Sequence, residues 1–447
     1  MGFTATHTVP AQRSEVWQWH ARPGAVSRLT PPFLPMTPVR QAESLRSGTT
    51  VFHLPAGMKW VAQHQADGYQ VREQFVDEAT NQPLKAATSW RHTHTFTDAE
   101  TTNGAAATRI TDTVDTYIPA VALRSAFAYR QHQLSNDLAF INSLPETKPL
   151  VIAITGASGL VGSHLRAQLT TAGHRVISLT RGKPSAGERQ WNPDNPDQDL
   201  LRGVDAVAHL AGESIMGRFT EEKKRAIRDS RVGPTRKLAR LAADSGVSTF
   251  VTASAVGYYG TDAGDHPHTE QDGPGAGFLA EVCAEWEEAS HVDGLRVVNI
   301  RTGLALSGAG GLLPLLKASV ASGLGARFGG GEFWMSWVAL DDLTDAYVLS
   351  LVDASLSGPI NATAPNPVTN AELSATLAAL LHRPNLLPIP TLGPKLVLGT
   401  EGADELALAN QRVIPAVAQA ARWRFRYPTL ETALVHELGK ERLMDDQ

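Results

Sequence analysis

The amino-acid sequence predicts an α/β protein built on a Rossmann-type, doubly wound parallel sheet with a small C-terminal substrate lobe, preceded by an α+β domain. Three observations predict this architecture. The apolar run Val151–Ile154 breaks into a glycine-rich turn, and an apolar-periodic helix follows it. Further apolar runs alternate with helical patterns after it, whereas period-2 alternation dominates the first third of the chain. The short proline-containing segment Leu144–Pro149 separates the two patterns, so we predict domains at residues 1–146 and 149–447.

The composition indicates a soluble globular protein with two or three domains. The chain has 447 residues, of which 42% are hydrophobic and 19% charged, and its 40 basic and 45 acidic residues give a net charge of −5. This balance gives no indication of a nucleic-acid-binding surface. Cys283 is the single cysteine, so no intrachain disulfide can form and a cytoplasmic location is expected. No signal-peptide pattern or bilayer-spanning apolar stretch is apparent, so we expect no membrane association.

The first domain is predicted to consist of an antiparallel sheet wrapped around a long helix. One stripe of that helix carries Phe127, Leu134, Leu138 and Ile141. The predicted strands are Thr49–His53, Trp60–Ala66, Tyr69–Val76, Ser89–Thr97 and Thr108–Ile118.

Two segments of this domain carry a family resemblance. Glu15–His20 (Glu-Val-Trp-Gln-Trp-His) and Arg28–Phe33 (Arg-Leu-Thr-Pro-Pro-Phe), together with the closing helix, resemble the helix-grip, polyketide-cyclase-like (SRPBCC) domains. The resemblance covers about the first third of the chain. It implies a cavity between sheet and helix that takes an apolar ligand.

His92 and His94 share one face of a predicted strand, a placement that can present two ligands to a metal ion. Trp90 and Phe96 share that face, and no further His/Cys cluster is apparent nearby. The sequence therefore favours polar residues on a cavity wall, and no metal is expected.

The glycine turn that follows Val151–Ile154 has the features of a dinucleotide site. Gly156 permits a tight turn, Gly159 lets the backbone approach a pyrophosphate, and Gly162 allows the helix to pack closely on the strand. The helix N-terminus offers unpaired N–H groups to the anion. The predicted cofactor contacts in this turn are Gly156, Ser158, Gly159, Leu160, Val161 and Gly162.

The second predicted strand of this domain, His174–Thr180, indicates which dinucleotide binds. Its end meets the adenosine ribose, where an acidic side chain would accept a hydrogen bond from the 2′-hydroxyl of NAD. The chain has Thr180 and Arg181 there instead. Because a guanidinium suits a 2′-phosphate, NADP is favoured over NAD, although a solvent-exposed arginine in a turn is the alternative.

The remaining strands of the sheet place further candidate residues at its carboxyl edge. A strand ends at His209, so Leu210, Ala211, Gly212 and Glu213 are predicted to border the cofactor. The strand Thr249–Ser254 precedes Tyr258 and Tyr259. The helix Phe278–Ser290 and the strand Leu295–Arg301 follow, and the rest of the chain is predicted to form a helical lobe over the substrate cleft.

These motifs together resemble the extended short-chain dehydrogenase/reductases. They are the turn Thr155–Gly162, His209–Gly212, Ser254 and Trp337–Asp342, and the resemblance covers residue 149 to the C-terminus. It is closest to the NAD-dependent epimerase/dehydratase-like branch, similar to nucleoside-diphosphate-sugar epimerases and sometimes labelled as cell-division inhibitors. The sequence offers no derivation of a cell-division role. The family implies a serine that orients the substrate oxygen and a Tyr-x-x-x-Lys pair that moves its proton.

The chain departs from that family at the Tyr-x-x-x-Lys pair, which is absent. Leu279 stands at the tyrosine position and Cys283 at the lysine position. Ser254 is retained, and Tyr258 or Tyr259 is the candidate proton donor, with packing near the turn as the alternative role of both tyrosines. Cys283 is more simply a buried apolar residue than a reactive thiol. Arg231, which stands where extended members often have Asn, could touch substrate or support the fold.

Two functions remain open at this stage. The first is an NADP-dependent oxidoreductase or epimerase-like enzyme acting on an unidentified small molecule. The second is a non-catalytic NADP-binding protein that captures an apolar ligand in its N-terminal domain. In a third, weaker hypothesis that domain delivers an apolar substrate to the dinucleotide site. The sequence does not indicate the oligomeric state.

Overall fold

The computed structural model describes residues 2–262, 266–385 and 387–444, which form two compact units. The first unit comprises residues 2–144 with 167–173 and 435–444. The second comprises 145–166 and the described part of 174–434. Within these ranges, every helix is too short or too polar to cross a membrane.

An antiparallel sheet and one long helix dominate the first unit. Its strands are β1 (Gly2–Val9), β2 (Thr37–Arg40), β3 (Thr49–His53), β4 (Lys59–His64), β5 (Gln74–Ala79), β6 (Arg91–Glu100) and β7 (Ala106–Asp115). Its helices are α1 (Arg13–Ala21), α2 (Ala25–Arg28), α3 (Leu84–Thr88) and α4 (Ala120–Ser143). The strands pair in the order β1-β7-β6-β5-β4-β3-β2, so the first strand pairs with the last, and β1 and β2 form the two edges of the sheet.

The core of this unit lies between the sheet and helix α4. The ring centroids of Phe3 on β1 and Phe127 on α4 are 4.9 Å apart. A second cluster joins Trp17 of α1 to Phe96 of β6 and Leu134 of α4. Burying each of these large side chains stabilises the unit by about 1.5–3 kcal/mol. The stripe predicted from Phe127 and Leu134 is thus the face of α4 that packs on the sheet.

A parallel sheet forms the centre of the second unit. Its strands are β8 (Val151–Thr155), β9 (Arg175–Thr180), β10 (Glu188–Gln190), β11 (Ala206–His209), β12 (Thr249–Ala255), β13 (Arg296–Thr302) and, later in the chain, β18 (Gly358–Ala362). They pair in the order β10-β9-β8-β11-β12-β13-β18, and each neighbouring pair is parallel. The chain runs outward from β8 to β10 and then returns to the other side of β8 at β11. The reversal between β8 and β11 is where doubly wound folds bind their ligands, and it confirms the predicted α/β fold with a parallel Rossmann-type sheet.

Short strands and helices complete this unit. The short strands are β14 (Leu304–Ser307), β15 (Gly310–Gly311), β16 (Trp334–Met335), β17 (Trp337–Ala339) and β19 (Val368–Thr369), paired as β15-β14-β17 and β16-β19. The helices, of which α5 and α14 lie only in part in this unit, are α5 (Leu160–Thr171), α6 (Glu221–Asp229), α7 (Val232–Asp244), α8 (Phe278–Ser290), α9 (Leu313–Ala321), α10 (Leu340–Val352), α11 (Asn370–Leu380), α12 (Leu392–Gly402), α13 (Ala416–Ala420) and α14 (Leu430–Glu437).

The first unit differs from the sequence expectation in several elements, strand β2 and helices α1 to α3 among them. The predicted strand Tyr69–Val76 begins only at Gln74, because a turn precedes it in which Arg72 has a φ of 63°. Strand β1 was not predicted. Its buried positions include Ala5 and His7, so the small and polar side chains weaken the period-2 apolar signal.

Candidate functional site

The glycine turn joins β8 to α5 at the reversal of strand order. Gly156 has a φ of 68°, and a Cβ atom there would lie 2.9 Å from the carbonyl group of Leu210. A Cβ atom at Gly162 would collide with the carbonyl oxygen of Gly156. At Gly159 such an atom would meet, among the described residues, only that same oxygen at 3.3 Å. Two of the glycines therefore allow the backbone to pack, and the third leaves one side of the turn open.

The strand register places the candidate residues along one edge of the sheet. Thr155 at the end of β8 pairs with His209 on β11, which pairs in turn with Thr252 on β12. Ser254 lies two residues further along β12, opposite Arg301 on β13. Because these strands are parallel, Ser254 and Arg301 lie two residues closer to the carboxyl edge of the sheet than Thr155, the residue before the glycine turn.

His209 is buried and connects this edge of the sheet to the neighbouring helices. The Oγ1 atom of Thr155 accepts hydrogen bonds from the two N–H groups that follow His209, both at 3.1 Å, and lies 2.7 Å from Nδ1 of His209. The Oγ1 atom of Thr235 lies 3.0 Å from Nε2 and accepts the indole N–H of Trp286 at 2.9 Å. This pattern assigns Nδ1 as the acceptor and Nε2 as the donor of a neutral imidazole. Burial lowers the pKa of His209 to about 3.

The loop after β11 is held in place by two basic side chains. Arg231 donates from Nη2 to the carbonyl oxygen of Glu213 at 2.9 Å, and a Cβ atom at Gly212 would lie 3.2 Å from its guanidinium. Nζ of Lys223 donates to Oε1 of Glu213 at 3.0 Å. This hydrogen bond, together with the charges of Arg181 and Arg231, lowers the pKa of Glu213. The contacts of Arg231 thus support the loop that the sequence predicts at the cofactor.

Arg181 directly follows β9 and lines a hollow of about 460 Å³. Polar side chains share that wall, among them Gln190, Asn192 and Asn195. The hollow therefore offers a cation and several hydrogen-bonding groups at the end of the second strand.

A hydrogen-bonded chain of buried Ser254, half-buried Glu287 and buried Arg301 lies at the carboxyl end of β12. Oγ of Ser254 donates to Oε1 of Glu287 at 2.6 Å. Arg301 donates to both carboxylate oxygens of Glu287, from Nε at 2.9 Å and from Nη2 at 2.8 Å. Although burial opposes it, the hydrogen bond with Glu287 raises the pKa of Arg301 above its ordinary value. The serine hydroxyl therefore points its proton at a carboxylate whose orientation is fixed.

Tyr258 and Tyr259 contact the same arginine. The ring centroid of Tyr258 lies 3.5 Å from Cζ of Arg301. The Tyr259 hydroxyl accepts from Nη1 of Arg301 at 2.9 Å and donates to Oδ1 of Asn361 at 2.8 Å. Burial raises the pKa of Tyr259 to about 12. The structure thus brings Ser254 and both tyrosines together around Arg301.

Leu279 and Cys283, on α8, pack against the segment between β12 and the tyrosines. A Cβ atom at Gly257 would lie 3.5 Å from Cβ of Leu279 and 3.9 Å from Sγ of Cys283. Burial raises the pKa of the Cys283 thiol to about 12. Cys283 therefore behaves as a small apolar residue, the interpretation that the sequence favoured.

The first unit encloses a cavity of its own, about 290 Å³ in volume. Its largely apolar wall includes Leu29, Phe52, Trp60, Phe75 and Phe127. A polar part of the wall is formed by Asp77, His92 and His94.

His92 and His94 stand between two carboxylates. Nε2 of His92 and Nδ1 of His94 each lie 2.9 Å from Oδ1 of Asp112. The opposite nitrogens, Nδ1 of His92 and Nε2 of His94, lie 3.7 and 3.5 Å from Oδ2 of Asp77. Burial lowers the pKa of His92 to about 4. Although burial opposes it, hydrogen bonds from the two histidines hold the pKa of Asp112 well below its ordinary value.

Two family models match the part of the chain after residue 151. The NAD dependent epimerase/dehydratase family matches residues 152–361, and a domain of unknown function, DUF1731, matches residues 389–437. An epimerase family protein of Mycobacterium bovis is 42% identical over 291 residues, which is 64% of this chain and 96% of the relative. The chain belongs to the NAD dependent epimerase/dehydratase family.

Two solved structures extend this family relationship. The nucleoside-diphosphate sugar epimerase of Corynebacterium glutamicum is 48% identical, with a TM-score of 0.88, over 99% of this chain and 91% of that chain. The human epimerase family protein SDR39U1, solved with NADPH, is 28% identical, with a TM-score of 0.60, over 65% of this chain and 99% of that chain. The predicted membership of the epimerase branch is therefore confirmed.

Sequence reasoning missed several residues of this epimerase-family site and of the cavity. Glu287 and Arg301 meet only when α8 packs beside β13. The usable signal was Arg301 itself, since a charged residue inside an apolar strand needs a buried partner. Asp77 and Asp112 were missed because they reach the histidines across neighbouring strands, Asp77 opposite His92 and Asp112 opposite His94.

Proposed function

We propose that this epimerase-family protein is an NADP-dependent oxidoreductase or a nucleoside-diphosphate-sugar-epimerase-like enzyme acting on a small molecule. The observation that carries the proposal is the glycine turn at the strand-order reversal, which packs tightly at Gly156 and Gly162 and stays open at Gly159. A cradle of this shape suits a pyrophosphate, and the first N–H groups of α5 suit its charge. The residues that would hold NADP are Gly156, Ser158, Gly159, Leu160, Val161, Gly162, Thr180, Arg181, Leu210, Ala211, Gly212 and Glu213.

The preference for NADP over NAD rests on Arg181. Its guanidinium lines a hollow at the end of β9, where a 2′-phosphate would lie, and it brings forked donors and a positive charge to that position. The human relative solved with NADPH agrees with this preference.

Ser254 and a tyrosine would act on the substrate oxygen in this reaction. Bound NADP would accept a hydride from the substrate. Ser254, held by its 2.6 Å hydrogen bond to Glu287, would orient the substrate oxygen, and that oxygen would exchange its proton with a tyrosine hydroxyl. Tyr258, half-buried beside Arg301, is the better placed of the two candidate tyrosines to donate to the substrate oxygen, since Tyr259 already donates its proton to Asn361.

A non-catalytic NADP-binding protein is the second candidate function. The absence of a Tyr-x-x-x-Lys pair favours it, as does the cavity of about 290 Å³ in the first unit. In either case we propose that the first unit is a helix-grip domain that takes an apolar ligand, because an antiparallel sheet and a long helix enclose that cavity.

The test of the proposal is a thermal-shift titration of the full chain with NADPH, NADP and NADH. At a hundredfold excess over Kd, a bound dinucleotide should stabilise the protein by about 2.7 kcal/mol. Arg181→Ala should weaken the binding of NADPH and leave the binding of NADH unchanged. Arg175→Ala is the matched control, because it removes one exposed charge at the opposite end of β9.

Each outcome of that titration decides between hypotheses. An equal effect of Arg181→Ala on NADPH and NADH would refute the assignment of the 2′-phosphate. No shift with any dinucleotide would refute both NADP-dependent functions. If NADPH binds, the enzyme is separated from the binding protein by following absorbance at 340 nm with simple carbonyl compounds and by chromatography of nucleoside-diphosphate sugars, because epimerisation returns the hydride and leaves no net change at 340 nm. A substrate-dependent change that Ser254→Ala abolishes is the result expected of the enzyme.

A further inference from the structure

The cavity of the first unit carries side chains arranged as metal ligands, and this site is independent of the dinucleotide site. We propose that Nδ1 of His92, Nε2 of His94 and Oδ2 of Asp77 bind a divalent first-row transition-metal ion, with an open coordination position facing the cavity. One ligand atom from each of the three residues lies within 4.8 Å of the other two. The sequence alone favoured a cavity wall because it showed the two histidines without their carboxylates.

The separations of the donor atoms suit such an ion. Metal–ligand bonds of about 2.0–2.2 Å in tetrahedral geometry place the ligand atoms about 3.3–3.6 Å apart. The Asp77 oxygen lies 3.5 Å from Nε2 of His94 and 3.7 Å from Nδ1 of His92. Both separations exceed an ordinary hydrogen bond and lie close to the tetrahedral values, and the ligand atoms of the two histidines lie within 4.8 Å of each other.

Asp112 orients both histidines from behind. Its Oδ1 atom lies 2.9 Å from Nε2 of His92 and from Nδ1 of His94, the nitrogens that point away from Asp77. When each of these nitrogens donates its proton to Asp112, the lone pairs of the other two converge with the carboxylate of Asp77 on one point. A bound cation would satisfy this convergence, and a carboxylate behind a ligating histidine is the usual support of a protein metal site.

The strands make this arrangement rigid. Asp77 on β5 pairs with His92 on β6, and His94 pairs with Asp112 on β7. The ring of Phe75 stacks on that of His94 with centroids 4.0 Å apart, and the two imidazole centroids are 3.8 Å apart. Ligands on paired strands of one sheet are held in place before the ion arrives.

The open position defines the kind of molecule that would share the cavity. Asp77, His92 and His94 all line it, whereas Asp112 is not part of the wall. Two histidines and one carboxylate with a free position are the ligand set that zinc and ferrous iron use when they bind a further molecule. A ligand with an apolar body and a single oxygen donor matches this combination.

The experiment measures metal binding to the full-length chain after removal of metal by a chelator. Zn²⁺ is titrated by calorimetry and Co²⁺ by visible absorption. Another group of three ligand side chains, His266, His268 and Asp272, lies in the second unit, so all titrations use a His268→Gln background. One ion should bind per chain, and Co²⁺ should give the intense visible bands of a tetrahedral site.

Variants then locate the ion. Asp77→Asn and His94→Gln should lower the affinity for Zn²⁺ by at least a hundredfold. Asp112→Asn should lower it by about 10–100-fold, because the two histidines lose the carboxylate that orients them. His53→Gln is the matched control, since it replaces an exposed histidine on β3 of the same sheet that does not line the cavity, and it should change the affinity less than twofold. Equal affinity in the background protein and in Asp77→Asn or His94→Gln overturns the proposal.

A measurement without a cavity variant covers the case in which those variants fail to fold. X-ray absorption of the zinc-loaded His268→Gln protein should show two imidazole rings in the coordination shell. A shell without imidazole scattering, or no binding at all, overturns the proposal equally.

Discussion

Burial of neutral His209 predicts a measurable acid sensitivity of the second unit. The pKa of this histidine falls from an ordinary value of 6.5 to about 3 in the folded chain. Between pH 3 and pH 6.5 this histidine is protonated in the unfolded chain and neutral in the folded chain. Stability is therefore fully present above pH 6.5 and is lost as the pH falls towards 3.

The magnitude follows from the size of that shift. Each pH unit within the window removes about 1.4 kcal/mol, so acidification from pH 7 to 4.5 should remove about 2.5 kcal/mol through His209 alone. His209→Gln cannot gain this proton. The variant should be less stable at pH 7, because its contacts with Thr155 and Thr235 change, but its stability should depend less on pH.

Urea denaturation at pH 7.0 and 4.5 measures this difference. The wild-type free energy of unfolding should fall about 2.5 kcal/mol further than that of His209→Gln. His291→Gln, a change at an exposed histidine after α8, should keep the wild-type pH dependence. Parallel losses in wild type and His209→Gln would refute the assignment of a buried neutral imidazole.

Two further predictions concern other buried groups of the second unit. Glu287→Gln leaves Arg301 buried without its countercharge and should lower the free energy of unfolding in urea by about 3–5 kcal/mol. Arg202→Ala breaks an exposed pair with Asp199 and should lower it by less than about 1 kcal/mol. Equal losses in the two variants would contradict the buried pair. Cys283, buried and with a pKa of about 12, should resist iodoacetamide in the native protein and react only in urea, whereas rapid native labelling would show an accessible thiolate.

The parts of the fold that depend on local pattern were predictable from the sequence. Helix α8 has the predicted bounds Phe278–Ser290, and strand β3 the predicted bounds Thr49–His53, because apolar periodicity and flanking turn residues determine both. The glycine turn was equally predictable, since Gly156 and Gly162 meet a local requirement of backbone packing and Gly159 leaves one side of the turn open. His209 was placed at a strand end, but its neutral state depends on Thr235 and Trp286, which arrive from distant helices.

The contacts around Arg301 explain how the site departs from the usual family chemistry. In that chemistry a lysine lowers the pKa of a tyrosine. Here the lysine position is Cys283, and the nearby cation is Arg301, whose charge is neutralised by the two-oxygen contact with Glu287. Burial raises the pKa of Tyr259 more than the hydrogen bond from Arg301 lowers it, so that the pKa is about 12. A tyrosine in this state keeps its proton at neutral pH. Proton transfer beside the cofactor would therefore fall to Tyr258, since Tyr259 donates to Asn361 and Ser254 donates to Glu287.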